Sequence, residues 1–86
     1  MGKLEKQIER LRSKPKDYTF SEAHTLLTAL GYEQSTKGKT SGSRVKYYRF
    51  SDQRLILLHK PHPGDEMRFA ATKELLIKLI EYGDIK

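Results

Sequence analysis

Two histidines, His59 and His62, lie in a short segment with alternating prolines and are the side chains best suited to chemistry. Histidine titrates near neutral pH, so an imidazole can both accept and donate a proton. Pro61 and Pro63 restrict the backbone beside the rings and would hold them in fixed directions. A zinc site is rejected because the chain has no cysteine and His24 belongs to a separate helical segment. The alternative to acid–base catalysis is a structural brace, in which the imidazoles donate to loop carbonyl groups.

Arg44 is the third candidate, and it directly follows a glycine and a serine. Gly42 and Ser43 are small enough to let the chain approach a phosphate, and a guanidinium can donate two parallel hydrogen bonds to it. Arginine stays protonated in proteins, so Arg44 can hold a phosphate but cannot be a general base. An exposed arginine after a turn is the simpler interpretation. The acidic residues do not cluster, so we expect no hard-metal site and no two-carboxylate hydrolase. A domain of 86 residues has little room for a deep cofactor cavity, so we also expect no cofactor.

The positive charge of the chain is concentrated around Arg44. The 86 residues include 17 basic and 11 acidic side chains, which gives a net charge of +6. Between residues 37 and 54, six basic residues and one acid give +5; the basic residues are Lys37, Lys39, Arg44, Lys46, Arg49 and Arg54. Such a concentration is typical of polyanion binding, although a solubilising surface is the alternative. The predicted RNA contacts are Lys37, Lys39, Ser43, Arg44, Lys46 and Lys60.

Three aromatic residues, Tyr47, Tyr48 and Phe50, alternate with the basic residues Lys46 and Arg49. Such mixing can stack and bind the bases of a single strand. Aromatic residues on a strand more often lie in the core or cover it. We therefore predict that at least half of these rings belong to the core.

Helical spacing and capping residues predict three helices around this segment. Apolar residues recur at helical spacing over residues 3–12. Thr19 and Glu22 form a capping box at the start of a second helix, over residues 20–30. A third helix is predicted over residues 70–82, with an apolar stripe of Leu75, Leu76, Leu79 and Ile80.

The middle of the chain predicts three strands, over residues 32–37, 44–50 and 55–59. The last is a continuous apolar run, which indicates a buried strand. The connections are too short for crossovers, so the sheet is expected to be antiparallel. The predicted fold class is α+β: helix, three strands and helix, with both helices on one face and an extra helix in front.

The length and composition predict one small domain over residues 1–86, with an N-terminal helix over 1–14 and a core over 18–84. No segment is long and apolar enough to span a membrane, and no charged-then-apolar leader is visible. We therefore expect a cytoplasmic protein with no membrane partner, and a monomer when it is free.

Several motifs together resemble the HicA family of toxins, the RNA-cleaving halves of bacterial HicA/HicB toxin–antitoxin pairs. They are Gly31-Tyr32, Gly42-Ser43-Arg44-Val45-Lys46-Tyr47 and His59-Lys60-Pro61-His62-Pro63-Gly64-Asp65-Glu66-Met67. The resemblance covers residues 18–84 and points to a branch with an added N-terminal helix. It implies a fold like that of double-stranded-RNA-binding domains, endonuclease action on mRNA without metal, and a HicB-like antitoxin that covers the site.

This chain departs from the best-known branch of that family, which has its catalytic histidine directly after Gly-Ser. Arg44 stands there instead, so we expect His62 or His59 to move the proton while Arg44 holds the phosphate. We predict the larger role for His62, because His59 ends a strand predicted to be buried. A non-catalytic RNA-binding module of the same fold is the alternative function.

Overall fold

The computed structural model describes residues 2–35, 44–61 and 64–85, except for the side chain of Arg44. The elements, in chain order, are α1 (Lys3–Arg12), α2 (Phe20–Ala29), β1 (Glu33–Ser35), β2 (Arg44–Arg49), β3 (Arg54–His59) and α3 (Phe69–Glu81). The strands form one antiparallel sheet in the order β1-β2-β3. The predicted α+β class and antiparallel sheet are therefore confirmed. None of the helices within these ranges is long and apolar enough to cross a membrane.

The start of α2 has the predicted capping box, and a side chain of α1 binds the Glu22 carboxylate of that box. The Thr19 hydroxyl accepts the Glu22 N–H at 3.1 Å, and the Glu22 carboxylate accepts the Thr19 N–H at 3.1 Å. The guanidinium of Arg10, on α1, donates to the same carboxylate and to Asp17. Leu11 is fully buried in the common core. The N-terminal helix therefore packs as part of the domain.

We expect the stability of this junction to fall in acid, because the carboxylate of Glu22 is ionised in it. The Arg10 guanidinium, followed by the Thr19 groups, lowers the pKa of Glu22 below its ordinary value of 4.5. Because the pKa of Glu22 is lower in the folded protein than in the unfolded chain, its ionised carboxylate stabilises the fold at pH values above 4.5. This stabilisation is lost as the pH falls through the lower pKa of the folded protein. The melting temperatures of the wild type and of Glu22→Gln should therefore converge between pH ~6 and pH ~3, as measured by circular dichroism. A difference that does not change with pH would contradict this.

The helices cover one face of the sheet, and the other face is open. Tyr47 on β2 and Ile56 and Leu58 on β3 are buried in one cluster with side chains of all three helices. Leu55 and Leu57 alternate with these residues and are 38% and 51% exposed. The prediction of a fully buried third strand is wrong, because successive strand residues point to opposite faces and only one face is covered.

The last helix, α3, packs through a narrower stripe than predicted. Leu75, Leu76 and Leu79 are buried, and so is Thr72 one turn earlier. The fourth predicted member, Ile80, is 47% exposed, so that part of the prediction is wrong. The core lies on the side of the helix that carries residues 72, 75, 76 and 79, and Ile80 falls beyond its edge.

Candidate functional site

The strand register brings Arg44 and His59 together at one end of the sheet. The two residues are direct partners in the β2–β3 ladder. The chain enters β2 at Arg44 from residues 36–43 and leaves β3 at His59 into residues 60–63. Apart from Lys46, which lies within β2, the other predicted site residues belong to these two segments.

Of those other residues, the structure describes only part. Lys60 is exposed and directly follows β3. Lys37, Lys39, Ser43 and His62 lie outside the described residues, as does the side chain of Arg44. Their predicted roles stay predictions.

The chain beyond the histidine segment is held at the N-terminus of α2. The carbonyl oxygen of Asp65 accepts the Phe20 N–H at 2.7 Å, and the Asp65 carboxylate accepts the Ser21 N–H at 3.2 Å. A carboxylate is favourable there because the first N–H groups of a helix lack partners and carry partial positive charge. The chain therefore leaves β3 at His59 and is bound at the start of α2 by Asp65. Sequence reasoning missed Asp65, since it lies 44 residues from the N–H group it binds.

His59 is exposed, unlike the prediction for the end of a buried strand. Its neighbour Leu58 is buried, because alternate residues of β3 point toward the helices. The expectation that packing commits the His59 ring is therefore wrong. An exposed imidazole opposite Arg44 is accessible to a ligand on the open face.

Arg49 does not belong to the predicted cationic surface, because its side chain is bound within the fold. Only 14% of its side chain is exposed. Its guanidinium donates to Asp52 at 2.9 and 2.6 Å, to Asp84 at 2.7 Å and to the Leu30 carbonyl at 2.9 Å. It also lies 4.6 Å from the centre of the Tyr32 ring. These contacts raise the pKa of Arg49, with the hydrogen bonds to Asp52 as the largest cause.

Arg54 also contacts other side chains of the domain, at the end of the β2–β3 ladder opposite to Arg44 and His59. Its guanidinium lies 3.5 Å from the Asp52 carboxylate and 4.4 Å from the centre of the Tyr82 ring. Lys46 differs from both arginines, since it is exposed and lies opposite the exposed Leu57. Within the described part of the +5 segment, Lys46 is thus the basic side chain best placed to meet a polyanion.

The three aromatic residues of β2 and its following turn have three different environments. Tyr47 is fully buried, Tyr48 is half-buried, and Phe50 is 71% exposed. Only Tyr47 belongs to the core, so the expectation that at least half of these rings are core is wrong. The Tyr47 hydroxyl lies 2.8 Å from Nδ1 of His24, and burial raises its pKa to about 12. His24 therefore has a structural role as the partner of a buried phenol.

An apolar groove of about 550 Å³ separates β3 from α3. The residues that line this groove include Leu55, Leu57, His59 and Ile77. Ile77 is 54% exposed, whereas Leu75, which also lines the groove, belongs to the core. The groove adds an apolar surface beside the candidate site.

No group of three or more potential metal ligands occurs among residues 2–35, 44–61 and 64–85. Comparison with protein-family models, with curated proteins and with solved structures gives no match for this chain.

Proposed function

We propose that this protein is a HicA-like toxin that binds mRNA at the Arg44–His59 end of the sheet and cleaves it without a metal cofactor. The observation that supports this most is the strand register, which pairs the expected phosphate ligand with an exposed histidine. The order of helices and strands is compatible with a fold like that of double-stranded-RNA-binding domains. The resemblance of residues 18–84 to the HicA family supplies the rest of the proposal.

The proposed reaction uses the RNA's own 2′-hydroxyl group as the nucleophile. A histidine removes its proton, the oxygen attacks the adjacent phosphorus, and the bond to the 5′-oxygen breaks. A second protonated group delivers a proton to that oxygen, leaving a 2′,3′-cyclic phosphate and a 5′-hydroxyl. Arg44 stabilises the negative charge that grows on the phosphate. His59 and His62 divide the two proton transfers.

A HicB-like antitoxin is the proposed protein partner, and the cytoplasm is the proposed location. The apolar groove between β3 and α3 supports a protein contact, since exposed Leu57 and Ile77 are side chains that a partner can bury. A partner seated there would lie beside His59 and could cover the site.

A cleavage assay in excess chelator tests the proposed reaction. The purified protein is incubated with a single-stranded RNA, and the fragments are examined for 2′,3′-cyclic phosphate ends. Fragments with these ends are expected. Binding without cleavage would favour the alternative, a non-catalytic RNA-binding module, and the absence of both binding and cleavage would overturn the proposal.

Loss of the predicted phosphate contacts should change the salt dependence of RNA binding. The slope of log affinity against log salt is negative, and each lost contact reduces its magnitude by ~0.7–0.9, so alanine at Lys39, Arg44 and Lys46 should reduce the magnitude by about 2 to 3 in total. Arg54→Ala is the control, because it removes a cation already paired with Asp52 and should leave the slope unchanged. Fluorescence anisotropy titrations at several salt concentrations give the slopes. An unchanged slope in the triple variant would mean that these charges only solubilise the protein.

A further inference from the structure

Two neighbouring aromatic side chains, Tyr48 and Phe50, remain accessible beside the open face of the sheet. Their ring centres are 4.7 Å apart, and the ring planes meet at 81°. This edge-to-face contact is a favourable arrangement that holds the Phe50 ring against Tyr48. Phe50 is nevertheless 71% exposed, the largest value among the big apolar side chains that the structure describes. We refer to Tyr48 and Phe50 as the aromatic pair.

Each of the other aromatic rings of the chain is either buried in the core or has a cation over one face. The chain has five tyrosines, three phenylalanines and no tryptophan. Phe20 and Tyr47 are buried in the core. The rings that carry a lysine or arginine over one face are Tyr18, Tyr32, Phe69 and Tyr82. Among the lysine and arginine side chains that the structure describes, none lies over the aromatic pair in this way, and the exposed Phe50 ring offers surface to a ligand.

The position of the aromatic pair favours a nucleic acid as that ligand. Along β2, the next residue on the same face as Tyr48 is the exposed Lys46, and Arg44 follows as the ladder partner of His59. Phe50 lies six residues from Arg44, a distance of about 20 Å along an extended strand. Ring, cation and proposed cleavage site thus follow one another along a length that several nucleotides can span. The one acidic ladder neighbour of Tyr48 is Glu33, on β1.

We propose that the aromatic pair is a subsite that stacks against one unpaired base of RNA while Lys46 contacts a neighbouring phosphate. This inference rests on the proposed function and narrows its substrate to RNA that is single-stranded several nucleotides from the cleaved bond. Stacking on aromatic side chains is a general means of binding single strands, because every base has an aromatic face. A duplex keeps its bases stacked inside and offers no such face to a sheet.

The test separates base stacking from phosphate binding. One probe is a single-stranded RNA with 2′-O-methyl groups, which cannot be cleaved through its 2′-oxygens. The second is a chain of the same length and charge without bases. The wild type should bind the first about 5–150-fold more tightly, as expected for one stacked base. Phe50→Ala should lose most of this preference, and Phe50→Tyr should keep it.

Phe69→Ala provides the matched control. Phe69 is also an exposed phenylalanine, at 41%, but it lies on α3 with the Lys73 ammonium 5.7 Å from its ring centre. This variant should keep the preference for the probe with bases. Equal loss in the two alanine variants would overturn the inference.

The remaining outcomes distinguish the inference from the proposed function. If the wild type binds both probes equally, the subsite is overturned while charge-driven RNA binding stands. If it binds neither probe at low salt, the proposed function fails and the inference fails with it.

Discussion

Replacement of His62 by alanine should lower the rate of RNA cleavage by about 10²–10⁴, the usual cost of losing a general acid or base. His59→Ala should cause a loss of similar size. The larger catalytic role predicted for His62 requires a buried His59 ring, but His59 is exposed and lies opposite Arg44. If the two rings divide the proton transfers, each variant should also lose one limb of the bell-shaped pH–rate profile. Single-turnover cleavage between pH ~5 and pH ~9 measures both effects.

A structural variant separates this loss of chemistry from a loss of folding. Thermal unfolding of His59→Ala and His62→Ala should stay close to that of the wild type. His24→Ala should show the opposite pattern, with cleavage per folded molecule retained and stability lowered by ~1–3 kcal/mol, because the buried Tyr47 hydroxyl loses its partner.

Two results would contradict the assignment. A folded His62→Ala protein that cleaves at the wild-type rate would exclude His62 from proton transfer. Unfolding of the same variant would support the alternative interpretation, in which the His-x-Pro-His-Pro segment braces the chain.

Replacement of Arg49 by alanine should lower the free energy of unfolding by about 2–4 kcal/mol, between the cost of leaving a buried acceptor unpaired and the cost of breaking a fully buried ion pair. The variant leaves the Asp84 carboxylate, which is only 10% exposed, without its cation. It also leaves the Leu30 carbonyl without this donor and removes the guanidinium that packs on Tyr32. Urea denaturation followed by circular dichroism measures the change.

Arg54→Ala is the matched control, because it removes the same charge from the partner position in the ladder. Its side chain is 36% exposed and pairs with Asp52 at 3.5 Å, so the loss should stay below ~1 kcal/mol. Arg49→Lys should recover only part of the lost stability, because an ammonium cannot donate in parallel to both carboxylate oxygens of Asp52. Equal effects of Arg49→Ala and Arg54→Ala would show that Arg49 is not a structural residue.

The sequence by itself determined the elements whose signals are local. The Thr19 and Glu22 capping box predicted the start of α2, and the spacing of apolar residues predicted α1 over residues 3–12. The short connections required antiparallel pairing. These signals involve residues within a turn or two of each other, so no distant contact was needed to interpret them.

Only the tertiary structure decided which side chains of the central strands are available. Lys46 and Arg49 belong to the same basic run, yet Lys46 is exposed while Arg49 binds Asp84, 35 residues away. Leu58 and His59 are neighbours along β3, yet Leu58 is buried and His59 is exposed. Successive strand residues point to opposite faces, and the packing of distant helices selects the face that is buried. That selection depends on contacts between residues that are far apart along the chain, and neither composition nor periodicity predicts such contacts.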